Sequence, residues 1–358
     1  NPIWDLVESD CILAVDTNVT EEHNVVGVPI KQAIKENTKL IVIDAREVEL
    51  TRHAHLWLRP RPGTTLTLLA GILQSILDQK LEAQTFINDQ CQGLEELRIS
   101  LSLYTLEYVS RVTGVSQGLI ENVARVYSSA TTGAIIYALD NVPQQEQASH
   151  VEAIANLALV TGNIGAKSTG LYALRHGTNE QGANDVGCGP DVLPGYQMVD
   201  NDAARQGIET RWGTPVPANI GLDLTGALNA AKTGRVKAML LLGDSINYSN
   251  TELANGYEAF NHLDFLVVQD VFLSEVSQQA HVVLPCTTFV EEDGTYTNLE
   301  RRVQLLKNSI APKNSSALPA WHFLCRLAQT MGAKGFHFET TAEVFDEIAT
   351  VAPIYGGI

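Results

Sequence analysis

The 358-residue sequence is poor in charge, in aromatics and above all in base. Charged side chains make up 18% and aromatic ones 6%, against 45% hydrophobic residues. That is the balance of a chain that folds around real cores. Lys and Arg number 24 against 41 Asp and Glu, a formal net charge of −17. Such a surface argues against nucleic acid and against acidic lipid as partners, and a small anionic substrate would need a local positive group to hold it. No apolar run approaches the roughly 20 residues of a membrane span. The chain opens Asn1-Pro2-Ile3-Trp4, with neither a methionine nor a charged-apolar-small leader, so further sequence is expected upstream.

Five cysteines (Cys11, Cys91, Cys188, Cys286 and Cys325) are scattered, no two within three residues of each other. The scatter excludes a local Cys-x-x-Cys motif and a secreted disulfide framework, and it points to a reducing, cytoplasmic compartment. Cys188, in VGCGP, reads as an idle thiol. His53, His55, His150, His281 and His322 show no ligand spacing, so zinc is not expected and no metal ligand is assigned. No Gly-x-Gly-x-x-Gly follows the first apolar run, and no Gly-x-x-x-x-Gly-Lys-Ser/Thr occurs anywhere. Conventional NAD binding and a P-loop are both disfavoured.

What is present is one layout used twice. ILAVD, ending at Asp16, reads as a buried parallel strand. A polar turn, an amphipathic stretch (VVGVPIKQAIKEN) and a second strand, KLIVID, ending at Asp44, follow it. AHLWLRP follows, beginning Ala54-His55, with His55 eleven residues after Asp44. Near residue 236 the pattern returns: VKAMLLL runs into Gly243-Asp244-Ser245, a helix is expected around TELANGYEAF, and FLVVQD ends at Asp270. AHVVLP then begins Ala280-His281, with His281 again eleven residues after the acid. Strand, helix and strand at this pitch make a βαβ unit. The expected fold is therefore α/β: two related doubly wound, Rossmann-like αβα units with mostly parallel sheets, the first over 1–175 and the second over 176–345. Residues 346–358 would begin a following segment. Such folds bind ligands beyond the carboxyl ends of their strands, where Asp44 and Asp270 stand. Each acid either caps its own turn or contacts a ribose or base edge.

Between the two units lies LRHGTNEQGANDVG, residues 174–187, in which only the leading leucine could fill a core. The stretch reads as the lip of a cofactor site. Arg175 is the group that meets substrate, and Gly177, Gly182 and Gly187 allow close backbone approach. The alternative is a structural loop, with Arg175 paired to a carboxylate. The whole span 175–222 looks irregular. TTFVEEDGTYTNLERRVQ, 287–304, carries Arg301 and Arg302, which suit a phosphate or carboxylate. The same residues would equally make a surface hairpin.

Taken in order, VTGNIGAKSTG, LRHGTNEQGANDVGCGPDVLPGYQ, LGDS, VVQD, AHVVLP and EEDGTYTNLERRVQ resemble the molybdopterin oxidoreductase family, most closely the catalytic subunits of molybdenum- or tungsten-dependent formate dehydrogenases. The resemblance covers nearly the whole chain. It implies two molybdopterin guanine dinucleotides around one Mo or W, one per unit, with formate as substrate and iron-sulfur or other electron-transfer subunits as partners. By matching positions, Arg175 orients formate and His176 could assist proton movement. The first dinucleotide would be touched by Asn18 and Glu22, by Asp44, Ala45 and Arg46, and by Gly63, Thr64 and Thr65. Gly177 belongs to the arginine loop. Gly243, Asp244, Ser245, Gln269 and Asp270 are the counterparts in the second unit.

The chain also departs from the family. It has no cysteine cluster for a [4Fe-4S] centre, no cysteine or selenocysteine followed by histidine, and no C-terminal β-barrel. Asn18-Val19 replaces a common Asn-Pro, and Thr65 stands where an acid is frequent. The implied object is the central region of a larger subunit, inactive on its own. The rival readings are a nitrate reductase-like or complex I-related relative, or a non-catalytic α/β scaffold.

Overall fold

The computed structural model describes residues 1–175, 177–243, 257–313 and 316–358, and it separates into two units. One comprises Asn1–Thr178 with Leu299–Arg301; the other comprises Asn179–Asn298 with Arg302–Ile358.

The first unit is built on a five-stranded parallel sheet of order β3-β2-β1-β4-β5. Its strands are β1 (Cys11–Val15), β2 (Lys39–Ile43), β3 (Leu56–Leu58), β4 (Gly133–Ala138) and β5 (Gly170–Leu174). Every residue of β1 and β4 is buried, as a sheet covered on both faces requires. Side chains alternate between the faces. Cys11, Leu13, Val15, Ile41 and Ile43 point into one core, filled from α3 (Thr65–Asp78) and the helices Leu106–Thr113, Gln117–Ser128 and Gln144–Val160. Ile12, Ala14, Leu40 and Val42 point into the other, closed by α2 (Asn24–Lys35), which follows the single turn α1 (Val19–Glu22), and by the N-terminal 3-10 turn Ile3–Glu8. The unit is doubly wound.

The second unit holds a parallel sheet which, among the described residues, has the order β10-β9-β8. It is formed by β8 (Ala238–Leu242), β9 (Phe265–Asp270) and β10 (Val282–Pro285). This is the order of β3-β2-β1, and the hydrogen bonds match as well. His55 N donates to Leu40 O in the first unit, and His281 N donates to Leu266 O in the second. Asp16 N donates to Ile43 O, and Gly243 N to Gln269 O. The register thus sets Asp16 against Gly243, one residue before the Asp244 that sequence spacing suggests, because β1 ends at Val15 and β8 at Leu242.

The span 175–222 is more regular than its composition implies. It contains the helix Glu180–Asp185, the strand pair β6 (Val192–Leu193) and β7 (Gln197–Met198), and the helix Asp202–Trp212. Local signals account for the last: the Asn201 side chain accepts from Ala203 N and Ala204 N, and Gly213 ends the helix at φ 65°. The segment with the arginine pair is a hairpin of β11 (Gly294–Thr297) and β12 (Val303–Leu306). Residues 346–358 lie in the second unit, where the helix Thr341–Val351 ends.

Candidate functional site: the carboxyl edge of the first sheet

Parallel strands bring all their carboxyl ends to one edge. In the first unit that edge opens into a crevice of about 260 Å³, lined by Asp16, Asp44, Ala45, Arg46, Pro62, Gly63, Thr65, Asn141, Val142, Pro143, Glu146 and His150. Five of the expected cofactor residues are thereby brought together: Asp44, Ala45, Arg46, Gly63 and Thr65. Gly63 takes φ 77° at the turn ahead of α3. Thr64 sits beside them with its hydroxyl committed to Arg61 O at 2.7 Å. Asn18 and Glu22 are not in the lining. Asn18 is buried, its Oδ1 accepts from the Thr20 hydroxyl, and Glu22 is exposed on α1.

Of the two roles the sequence left open for Asp44, the structure shows the cap. One oxygen, Oδ1, accepts from Arg46 N at 2.7 Å and caps the turn. The other, Oδ2, is buried without a partner in a residue only 3% exposed. A buried acceptor left unpaired costs about 1–3 kcal/mol. Burial pushes the Asp44 carboxyl above the usual carboxylate range, against the Arg46 amide and guanidinium that favour the anion. Asp16 is raised likewise by burial and by the Asp44 carboxylate, opposed by the Thr65 hydroxyl, His150 and Arg46. The His150 ring places Nδ1 3.1 Å from Glu146 O. A carbonyl only accepts, so Nδ1 carries the proton.

Sequence reading missed Asp16, Asn141 and His150. Asp16 did end an apolar run, but Asn141 follows β4 and His150 lies on a helix beyond it, so only strand order brings them in.

Arg175 directly follows Leu174, the last residue of β5, and is half-buried at the same edge. Its charge and that of Arg301 both favour ionisation of Tyr137 in β4, although burial outweighs them and raises that phenol. His176, Asp244 and Ser245 lie outside the described residues. Gly177 is exposed.

The second unit repeats the pattern. Gly243 follows β8 at φ 79°. Gln269 is 1% exposed, donates through Nε2 to Leu318 O at 2.8 Å and keeps Oε1 buried and unpaired. Asp270 caps its turn, with Oδ1 accepting from Val271 N and Phe272 N. Each unit therefore carries a buried acceptor without a partner where a strand ends, β2 in the first unit and β9 in the second.

No three acidic, histidine or cysteine side chains come together as a metal-ligand set among the described residues, and no helix there is long and apolar enough to cross a membrane.

The molybdopterin oxidoreductase family model matches residues 1–330. The F420-dependent formate dehydrogenase 1 subunit alpha of Methanococcus maripaludis is 37% identical over 360 residues, covering 100% of this chain and 53% of that one. The corresponding alpha subunit of Methanocaldococcus jannaschii is 35% identical over 359 residues, with coverage of 100% and 53%. The chain thus spans about half the length of these relatives. Among solved structures, acetylene hydratase from Pelobacter acetylenicus shares the fold with a TM-score of 0.75 at 22% identity, over 96% of this chain and 50% of that one. The chain belongs to the molybdopterin oxidoreductase family, whose members carry a molybdopterin cofactor with molybdenum or tungsten.

Proposed function

We propose that these residues form the central cofactor-binding region of a formate dehydrogenase catalytic subunit, which oxidises formate to carbon dioxide. One molybdopterin guanine dinucleotide belongs to each α/β unit. The observation that carries the reading is the identity of 35–37% with formate dehydrogenase alpha subunits across the whole chain. The unpaired acceptors Asp44 Oδ2 and Gln269 Oε1 fit the donors of a nucleotide. In the first unit Asp44, Ala45, Arg46, Gly63 and Thr65 hold it, together with Asn18, Glu22 and Thr64. In the second, Gly243, Asp244, Ser245, Gln269 and Asp270 do so.

The cofactor, when bound, supplies the two-electron acceptor. Arg175 binds the formate carboxylate through its guanidinium fork, supplying a local cation for an anion in a protein of net charge −17. His176 assists proton movement, and Gly177 lets the loop approach. Electrons leave toward iron-sulfur or other electron-transfer subunits in the cytoplasm. The five scattered cysteines here make no cluster motif, so the [4Fe-4S] centre of this reading belongs to parts of the parent enzyme outside these residues.

The test is Arg175→Ala in the parent enzyme. A bidentate charge-assisted contact made in the transition state is worth on the order of 2–4 kcal/mol, so kcat/KM per bound metal should fall roughly 30- to 1000-fold. Arg175→Lys should recover only part, because a point charge cannot reproduce the fork. Unchanged kcat/KM per metal would end the assignment.

A further inference from the structure

Asp16 sits where the fold asks for glycine. Its backbone takes φ 48°, in the left-handed region. The register-equivalent residue of the second unit is Gly243, at φ 79°. The Asp16 side chain also enters the crevice next to another carboxylate, that of Asp44, and loses water there. Three unfavourable features thus coincide: a strained backbone, a desolvated acid and a like charge beside it. Within the described residues the compensation is the Thr65 hydroxyl, which favours the anion, together with the charges of His150 and Arg46. A strained residue with an acceptor turned into a crevice is the form a ligand contact takes.

We infer that Asp16 is a binding residue of the first unit's crevice, accepting hydrogen bonds from the neutral donors of a nucleoside, namely base N–H groups or ribose hydroxyls. The inference deepens the nucleotide reading above and rests on it. A phosphate is the wrong occupant for this part of the cleft. It would face Asp16, Asp44 and Glu146, with only Arg46 and His150 in the lining to offset them. A donor edge meets the carboxylate of Asp16 and the unpaired Oδ2 of Asp44 together. The register equivalent in the second unit, Gly243, has no side chain to offer.

The experiment is a titration of the 358-residue chain, and of Asp16→Gly, Asp16→Asn and Asp44→Asn, with GMP, dGMP, AMP and inorganic pyrophosphate. Asp16→Gly removes the carboxylate and keeps the backbone geometry, so it should fold. It should weaken GMP roughly 10- to 100-fold, the usual weight of a hydrogen bond to a charged group. Asp16→Asn, which keeps one acceptor oxygen, should fall between. GMP tighter than AMP, with dGMP equal to GMP, identifies the donors as base N–H groups. AMP equal to GMP, with dGMP weaker, identifies the ribose hydroxyls. Either pattern, together with the Asp16→Gly loss, supports the inference. Unchanged GMP affinity in Asp16→Gly alongside a loss in Asp44→Asn overturns it and leaves the nucleotide reading standing. Pyrophosphate competing as well as GMP also overturns it. Failure of the wild-type chain to bind any nucleotide overturns both.

Discussion

Gly71 lies in the middle of α3, the helix whose first residue, Thr65, meets Asp16 in the crevice. A Cβ at position 71 would stand 2.6 Å from Cγ1 and 2.8 Å from Cγ2 of Val109, and 3.1 Å from its Cβ. Val109 is fully buried on the helix Leu106–Thr113, and a β-branched side chain has little rotameric freedom with which to yield. Two effects of opposite sign compete in Gly71→Ala. Helix propensity favours alanine by about 1 kcal/mol. Overpacking a close-packed core costs about 1–3 kcal/mol, and contacts well under 3 Å to two methyl groups put this case at the upper end. The net expectation is a loss of about 1–2 kcal/mol. For a unit of this size each kcal/mol moves the midpoint by about 2–4 °C, so Tm should drop by roughly 2–8 °C. Thermal melts followed by circular dichroism measure it. Val109→Ala opens the space, so Gly71→Ala in that background should cost nothing or stabilise, giving a coupling of about 1–3 kcal/mol in the double-mutant cycle. A Gly71→Ala protein that melts above wild type would show that propensity, not packing against Val109, governs this site, and the helix contact would have been misjudged.

Ionisation of Asp16 should be visible in the pH dependence of stability. Its folded carboxyl is raised above the ordinary 3.8, so its favourable contribution is full below that value and is lost as pH climbs through the raised one. Asp16→Asn should therefore gain Tm relative to wild type as pH rises across this window, and a difference that stays constant with pH would contradict the buried-acid account. In the second unit, the Tyr355 hydroxyl donates to Asp185 Oδ2 at 3.0 Å, while Gln181 Nε2 serves Oδ1 at 2.8 Å. Tyr355→Phe leaves that buried oxygen without its donor and should cost about 1–3 kcal/mol in urea denaturation. A loss under half a kcal/mol would mean that water replaces the hydroxyl.

The sequence by itself determined six strands, β1 to β3 and β8 to β10, and the design they share. Short apolar runs ending in Asp44 and Asp270, each followed by an Ala-His pair whose histidine stands eleven residues after the acid, are periodicity and spacing, and the His55 and His281 amides turn out to make equivalent bonds. It also determined the family, because the arginine loop and DGTYTNLERRVQ are specific as text. Local signals in 175–222, the Asn201 cap and Gly213 stop, were legible in principle but hidden beneath a polar composition. Only tertiary structure decided which residues share the crevice. Cys11 pairs with Lys39 on one side and Gly133 on the other, so the loop after β4 and the helix bearing His150 reach Asp16 through strand order, which periodicity does not encode. The same holds for the two oxygens of Asp44: a carboxylate at a strand end is evident in the sequence, but that one oxygen caps a turn while the other is buried and unpaired depends on everything packed around it.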